Sequence, residues 1–166
     1  MTPIQIRIAR AEDGPDVSRI YIDSWNKGFG SLMRHREFTT RNVDRWTRDL
    51  VAPVPYHWWV ALIDDAVVGF AGIGTSRDPV DPNLGELDTI AVDPNHWRVG
   101  VGSALMSTVL EQLRKDSYPE AILWTLENYP RGQQYYESMG WSRDGGVRDN
   151  GTQIRYRIRL GVLSDS

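Results

Sequence analysis

The 166-residue sequence contains no cysteine. A disulfide, a thiol nucleophile and a cysteine metal site are therefore all excluded. The three histidines, His35, His57 and His96, also lack the spacing of metal ligands. The sequence thus predicts that this protein holds no metal ion.

Long apolar runs and strong positive charge are missing too. No run approaches the roughly 18 apolar residues that a membrane-spanning helix needs, and residues 1–7 lack the charged start and apolar block of a secretory signal. The formal net charge is −3 at pH 7, without a long basic run, which argues against nucleic acid as the main partner. We therefore expect a cytoplasmic protein that binds neither membranes nor nucleic acid.

What the sequence does have is the composition of a globular protein, with 40% hydrophobic and 25% charged residues. Its length suits a single domain over 1–166, and no internal repeat or low-complexity linker interrupts it. We expect most of the seven tryptophans in the core or in a pocket wall.

The hydrophobic patterns predict the element order β-α-α-β-β-β-α-β-α-β-β. Strands are expected over 4–8, 56–63, 66–75, 84–92, 121–126, 141–148 and 152–160. Helices are expected to end at 28–30, to run over 39–51 and 101–114, and to begin at Pro130. A loop is expected over 76–83, and the unit 84–126 should form one parallel strand pair by a right-handed crossover. The fold class is therefore a mixed α/β (α+β) sheet with helices packed on its faces.

One stretch stands out as a candidate site, where a predicted strand passes through a short loop into a helix. The apolar run that ends at Val92 is broken by Asp93-Pro94-Asn95. Gly100 and Gly102 follow at the start of the helix, where glycine lets a bound group approach the backbone closely. Because the first turn of a helix has free N–H groups and a partial positive charge, this joint is a candidate phosphate site.

Two motifs give the sequence a family resemblance. Residues 92–105 are similar to the acetyl-CoA loop of the GCN5-related N-acetyltransferases (GNAT), a Q/R-x-x-G-x-G/A pattern after a central strand. Residues 126–130 and 135–141 are similar to that family's later N…(F/Y)-Y-E-x-x-G-(F/W) run. One departure is Trp97, which stands where the family has Gln or Arg, so Arg98 or Arg131 would have to supply that side-chain phosphate contact.

The resemblance implies a GNAT-like, mostly antiparallel twisted sheet of about seven strands with about four helices, in which splayed central strands form the CoA cleft. It implies that the pyrophosphate of acetyl-CoA is held by the N–H groups of Arg98, Val99, Gly100, Val101, Gly102 and Ser103. The pantetheine arm would pair with Ile90, Ala91 and Val92 as an added strand does. Asn128 would contact the pantetheine or phosphate arm.

Glu86 and Asp88 are the candidates for a general base. The two-residue period of a strand puts them on one face, and a carboxylate in a central strand is costly to bury without a partner or a task. They are either strand-end charges in solvent or in an ion pair with arginine, or they accept the proton of the amine that attacks the thioester. The resemblance places Glu86 slightly ahead of Asp88.

Tyr136 is the candidate for a general acid. A tyrosine four residues before a helix-ending glycine, as Tyr136 is, is usually a core aromatic, and the neighbouring Tyr135 is expected to be one. The resemblance implies that Tyr136 instead protonates the leaving thiolate. An N–H group of Ile90 or Ala91 would stabilise the charge on the thioester oxygen.

The predicted function is acetyl-CoA-dependent transfer of an acetyl group to a primary amine, by direct attack in a ternary complex and without a metal. A small-molecule acceptor is favoured, in a pocket walled by aromatic residues near the first two helices. The alternatives are a protein or peptide N-acetyltransferase, a domain that binds or senses acyl-CoA without catalysis, and another kind of nucleotide-phosphate domain. Homodimers are common in the family, so the resemblance allows one here.

Overall fold

The computed structural model describes residues 2–29 and 40–161. Within these ranges the strands are β1 (Gln5–Ile8), β2 (His57–Ile63), β3 (Ala66–Arg77), β4 (Val80–Val92), β5 (Glu120–Leu126), β6 (Ser142–Arg148) and β7 (Gln153–Arg159). The α-helices are α1 (Gly14–Phe29), α2 (Thr40–Asp49), α3 (Val101–Lys115) and α4 (Pro130–Ser138). The predicted element order is confirmed. His35 and Thr39, the first residue of the second predicted helix, lie outside the described residues.

The strands form one seven-stranded sheet in the order β1-β2-β3-β4-β5-β7-β6. Strand β4 pairs with β5 in parallel, whereas β1 with β2, β5 with β7 and β6 with β7 pair antiparallel. The predicted mixed, mostly antiparallel sheet is thus confirmed. The parallel ladder covers Leu84–Glu86 on β4 and Glu120–Ile122 on β5, and it ends before either strand does. The central strands therefore stop pairing partway along, as the resemblance implied.

The contacts of the chain group it into two compact units. The first unit is Met1–Gly72 with Thr89–Thr108, and the second is Ile73–Asp88 with Val109–Ser166. The core of the first unit is aromatic: the Trp46 ring lies 5.5 Å from that of Trp58 and 5.2 Å from that of Phe70, both edge-on. These two tryptophans are buried, so they belong to the core rather than to an acceptor pocket.

The core of the second unit lies between the sheet and the end of α3. Val109 and Leu113 of that helix are fully buried, together with Ala121 of β5 and Tyr156 of β7. The four-residue apolar spacing predicted this face, since side chains at that spacing share one side of a helix. Trp141, three residues after the end of α4, is 1% exposed.

The loop predicted over 76–83 is wrong. Strand β3 continues to Arg77 and β4 begins at Val80, so the chain reverses over Asp78-Pro79 alone. The carbonyl groups of this turn have partners: Ser76 Oγ donates to Pro79 O at 2.5 Å, and Trp124 Nε1 donates to Asp78 O at 2.9 Å. Side chains distant in sequence thus stabilise a turn that composition alone favours as a loop.

No helix among the described residues is long and apolar enough to cross a membrane.

Candidate active site

The start of α3 presents the predicted phosphate-binding backbone. The first helical hydrogen bond runs from Ala104 N to Gly100 O at 3.0 Å. The N–H groups of Val101, Gly102 and Ser103 precede that bond in the first turn, where no intrahelical acceptor exists. Gly102 is half-buried and Ser103 is exposed, so this turn is open to a ligand. It combines free donors with the positive end of a helix dipole.

The loop before α3 has two left-handed residues. Arg98 has φ +67° and Gly100 has φ +96°. Left-handed residues in a turn can bring successive N–H groups to one concave side, which is an arrangement that binds anions. Arg98 is exposed, and a non-glycine residue adopts this conformation at a cost of about 1–2 kcal/mol.

Trp97 ties this loop to the end of β4. Its indole Nε1 donates to Val92 O at 2.8 Å. Asp93, which is 8% exposed, accepts from Asn95 N at 3.0 Å through Oδ1. The residue that departs from the family pattern therefore anchors the loop by an internal hydrogen bond.

The end of β4 has one backbone side turned toward β3. Asp93 N donates to Val68 O at 2.8 Å, and Ala91 O lies 3.2 Å from the position that a Cβ of Gly69 would occupy. Because backbone groups alternate along a strand, those of Ile90 and Val92 point away from β3. Ile90 thus carries groups that another strand-like ligand can use, and Val92 offers its N–H, because its carbonyl already accepts from Trp97 Nε1.

Gly69 of β3 allows α3 to approach the sheet. A Cβ at this position would lie 2.9 Å from Val101 Cγ1 and 3.2 Å from Leu105 Cδ1. Sequence reasoning missed this residue, although an isolated glycine in an apolar strand is typical of a close backbone approach. Gly69 therefore fixes the height of the first turn of α3 above the sheet.

Glu86 and Asp88 share one partner but differ in environment. Arg77 N donates to Glu86 Oε1 at 3.1 Å, and Arg77 Nη2 donates to Asp88 Oδ2 at 2.8 Å. Burial raises the pKa of Glu86 above its ordinary value, against the opposing hydrogen bond from Arg77 N, and the charge of Asp88 raises it further. Asp88 is exposed and adopts the predicted alternative of an ion pair with arginine. The two environments favour Glu86 over Asp88 as the candidate base, and this role stays a prediction.

Tyr136 lies in an aromatic group on α4. Its ring centroid is 5.5 Å from that of Tyr135 and 6.1 Å from that of Tyr156. Burial raises the pKa of Tyr136 well above its ordinary value, and the neighbouring Tyr135 and Tyr129 raise it further. The phenol is therefore protonated at neutral pH, as a general acid must be.

The register places Glu86 and Tyr136 on opposite faces of the sheet in the second unit. Glu86 pairs with Ile122, and Trp124, two residues along β5, pairs with Arg155. Paired residues share a face, so Glu86, Trp124 and Arg155 lie on one side. Tyr156 follows Arg155 and therefore faces the other side, where Tyr136 contacts it.

Asn128 and Arg131, the other predicted ligand contacts, lie just before α4 and in its first turn, and both are exposed. Sequence reasoning missed the buried Gln133 beside them. Gln133 Nε2 donates to Leu126 O at 3.1 Å and to Glu127 O at 2.6 Å. This side chain holds the connection that presents Asn128 and Arg131.

The predicted site residues fall into two sets. Ile90–Val92 and the α3 loop belong to the first unit, whereas Glu86, Asp88, Asn128, Arg131 and Tyr136 belong to the second. Over residues 2–29 and 40–161 there is no group of three or more histidine and acidic side chains that could hold a metal ion.

A sequence model of the Acetyltransferase (GNAT) family matches residues 15–141. The chain belongs to this family. An uncharacterized N-acetyltransferase, YuaI of Bacillus subtilis, is 26% identical over 136 residues, which cover 76% of this chain and 74% of that protein. The predicted family and the enzyme class, N-acetyltransferase, are confirmed.

Two solved structures show the same fold. The PaiA N-acetyltransferase of Thermoplasma acidophilum, in complex with coenzyme A, has a TM-score of 0.76 at 16% identity, with 95% of this chain and 99% of that one covered. YncA of Salmonella typhimurium, a putative acetyltransferase with its cofactor acetyl-CoA, has a TM-score of 0.73 at 19% identity, with 97% and 96% covered. The predicted GNAT fold is therefore confirmed, and acetyl-CoA is the cosubstrate of this family.

Proposed function

We propose that this protein transfers the acetyl group of acetyl-CoA to the primary amine of a small molecule, by direct attack in a ternary complex. The observation that carries the proposal is the open first turn of α3, behind a left-handed loop, on the motif that resembles the acetyl-CoA loop of the family. Free N–H groups at a helix start can donate hydrogen bonds to a pyrophosphate, the charged group that links the pantetheine arm of CoA to its nucleotide.

The α3 loop holds the pyrophosphate through main-chain donors from Arg98 to Ser103. The Trp97 indole is engaged with Val92 O, so the cationic contact of the family pattern passes to Arg98 or Arg131. Both side chains are exposed. Asn128 contacts the pantetheine or phosphate arm of the same ligand.

The pantetheine arm pairs with the end of β4. Ile90 and Val92 turn their backbone groups away from β3, which favours them over Ala91 as partners. Of the two predicted N–H donors to the thioester oxygen, this geometry favours Ile90.

The chemistry divides between two side chains. Acetyl-CoA supplies an activated thioester, whose carbonyl carbon the amine attacks. Glu86 accepts the proton that the amine must lose as the C–N bond forms, directly or through water. Tyr136 gives its phenol proton to the sulfur as the C–S bond breaks, which leaves the free thiol of CoA and the N-acetyl product.

Release of free thiol from acetyl-CoA, measured over a panel of small amines and N-terminal peptides, tests this function. We expect turnover with at least one class of small amine and weaker turnover with peptides. Calorimetry with CoA is the companion measurement. Binding of CoA without turnover on any amine or peptide would instead indicate a sensing domain.

We also propose that the protein is cytoplasmic. The resemblance further allows a homodimer. Sedimentation velocity with and without CoA measures the oligomeric state. A fixed dimer supports the homodimer, and a monomer at all protein concentrations contradicts it.

A further inference from the structure

A rigid arginine lies on the same face of the sheet as the proposed base. Arg148 of β6 pairs with Gln153 of β7, and Gln153 pairs with Leu126 of β5. Leu126 lies two residues from Trp124, so Arg148 shares the face that carries Trp124 and Glu86. The charge of Arg148 also lowers the pKa of Glu86, which is consistent with their nearness.

Three contacts fix the Arg148 guanidinium. Its carbon lies 4.3 Å from the ring centroid of Trp124. Its Nε donates to Gln153 Oε1 at 2.7 Å, and its Nη1 donates to Asp78 Oδ2 at 3.0 Å. Trp124 is itself held, because its Nε1 donates to Asp78 O at 2.9 Å. The cation is thus oriented before any ligand arrives, which lowers the entropic cost of binding.

The guanidinium keeps capacity for another anion. Its Nη2 makes no hydrogen bond to the residues that the structure describes, and the Arg148 side chain is 33% exposed. The Asp78 carboxylate that pairs with it is 60% exposed, and ion pairs of that kind contribute only about 0–1 kcal/mol. A carboxylate that approaches from solvent can therefore share or replace Asp78.

We propose that the acceptor is an amino acid or a close analogue, an amine that also carries a carboxylate, and that Arg148 binds this carboxylate. The inference rests on the proposed N-acetyltransferase function. The face offers both signs of charge: Glu86 and Asp88 attract the ammonium group, and Arg148 attracts the anionic group. A planar guanidinium matches a carboxylate with two parallel hydrogen bonds, which a lysine cannot provide.

The test compares ω-amino acids with their amides, in which a neutral carboxamide replaces the carboxylate. The measured quantity is kcat/KM for acetylation by the wild type and by Arg148→Gln. A hydrogen-bonded charge contact of this kind corresponds to roughly 10- to 100-fold in kcat/KM. We expect Arg148→Gln to lose that factor for the acids and to change the amides less than about threefold. The ratio of the two effects cancels differences in amine basicity.

Two further variants separate binding from folding. Arg159→Gln removes a guanidinium from the same face of β7, where its side chain is 92% exposed, and it should leave both substrate classes unchanged. Arg148→Lys keeps the charge but loses the planar group that donates two parallel hydrogen bonds. Compared with Arg148→Gln, it should restore only part of the preference for acids. Thermal unfolding of each variant shows whether the fold is intact.

The outcomes distinguish this inference from the proposed function. Acetylation of amides as fast as acids by the wild type, or an equal loss for both classes in Arg148→Gln, would overturn the carboxylate site and leave the N-acetyltransferase standing. Binding of CoA with no acetylation of any amine would overturn both.

Discussion

At the scale of single residues, burial has different consequences for the two proposed catalytic groups. Burial raises the pKa of both Glu86 and Tyr136. For the carboxyl group this brings the pKa closer to neutral, which makes a stronger base. For the phenol, which is protonated at neutral pH even at its ordinary pKa of about 10, the raised pKa means a weaker acid. The same physical cause therefore strengthens Glu86 as a base and keeps Tyr136 protonated up to alkaline pH.

Tyr136→Phe removes the proposed acid without changing the ring packing. We expect acetyl-CoA affinity within a few-fold of the wild type and turnover lower by roughly 10- to 1,000-fold, the scale of lost acid catalysis. Tyr135→Phe is the matched control, because the buried Tyr135 hydroxyl makes no hydrogen bond to the described residues. Steady-state kinetics with both variants decides the point, and unchanged turnover in Tyr136→Phe removes this tyrosine from the mechanism.

Glu86→Gln should separate activity from stability. We expect turnover to fall roughly 100-fold or more, and the acidic limb of the pH–rate profile to disappear, because the base is lost. Asp88→Asn, which breaks only the ion pair with Arg77, should cause a smaller fall.

Whereas Glu86→Gln should lower turnover, it should raise the stability of the folded protein at neutral pH. Since the pKa of Glu86 is raised in the folded protein, its contribution to stability is full below the unfolded pKa, near 4.3, and is lost as the pH rises through the folded pKa. The melting temperature of Glu86→Gln relative to the wild type should therefore increase from acidic to neutral pH. Wild-type turnover by Glu86→Gln at neutral pH would contradict this account. So would a melting temperature that, relative to the wild type, is lower at neutral pH than at acidic pH.

At the scale of elements, the α3 region depends on a glycine in a neighbouring strand. Gly69→Ala would bring a Cβ to 2.9 Å from Val101 Cγ1. Overpacking of this kind costs about 1–3 kcal/mol. We expect a lower free energy of unfolding together with weaker CoA binding, because the first turn of α3 must move.

Gly72→Ala is the control for that variant. Gly72 lies in the same strand and the same unit as Gly69. Its Cβ would meet the ring of Trp58 on β2, and its three nearest atoms include none of α3. It should lower the free energy of unfolding but leave CoA affinity unchanged. Equal loss of affinity in both variants would show that the effect on binding is only a loss of stability.

The elements and the phosphate loop could be predicted from local patterns. The apolar spacing of α3 is a short-range feature, and so are the breaks between predicted strands at Asp64-Asp65 and Asp149-Asn150-Gly151. The structure has left-handed residues at both breaks. The errors arise where distant side chains decide. The turn at Asp78-Pro79 is held by Trp124, and the packing of α3 depends on Gly69. No local pattern contains either contact.

The same rule applies to the candidate site. The proposed backbone donors depend on a local pattern, which the sequence alone contains. The ion pair that separates Asp88 from Glu86 depends on Arg77 of another strand, and the Arg148 cation depends on Trp124 and Gln153. Which carboxylate is the base and what the acceptor carries could therefore not be predicted from spacing.

At the scale of the whole molecule, membership of the GNAT family and the open start of α3 together support one central claim: the chain binds acetyl-CoA at this helix terminus and uses it as an acetyl donor. A chain of net charge −3 does not attract an anionic ligand by its overall charge. Binding must therefore come from a local arrangement of donors. A single charge introduced into that arrangement should abolish it.

Calorimetric titration of CoA into the wild type, Gly102→Asp and Gly102→Asn tests this claim most directly. An acidic residue in the first turn of a helix stabilises the helix, so lost binding in Gly102→Asp would not arise from unfolding of α3. The account predicts binding of one CoA per chain in the wild type, weaker binding in the neutral Gly102→Asn, and no measurable binding in Gly102→Asp, whose carboxylate faces the pyrophosphate. Wild-type affinity in Gly102→Asp, or a wild type that binds ATP or NAD but not CoA, would contradict it.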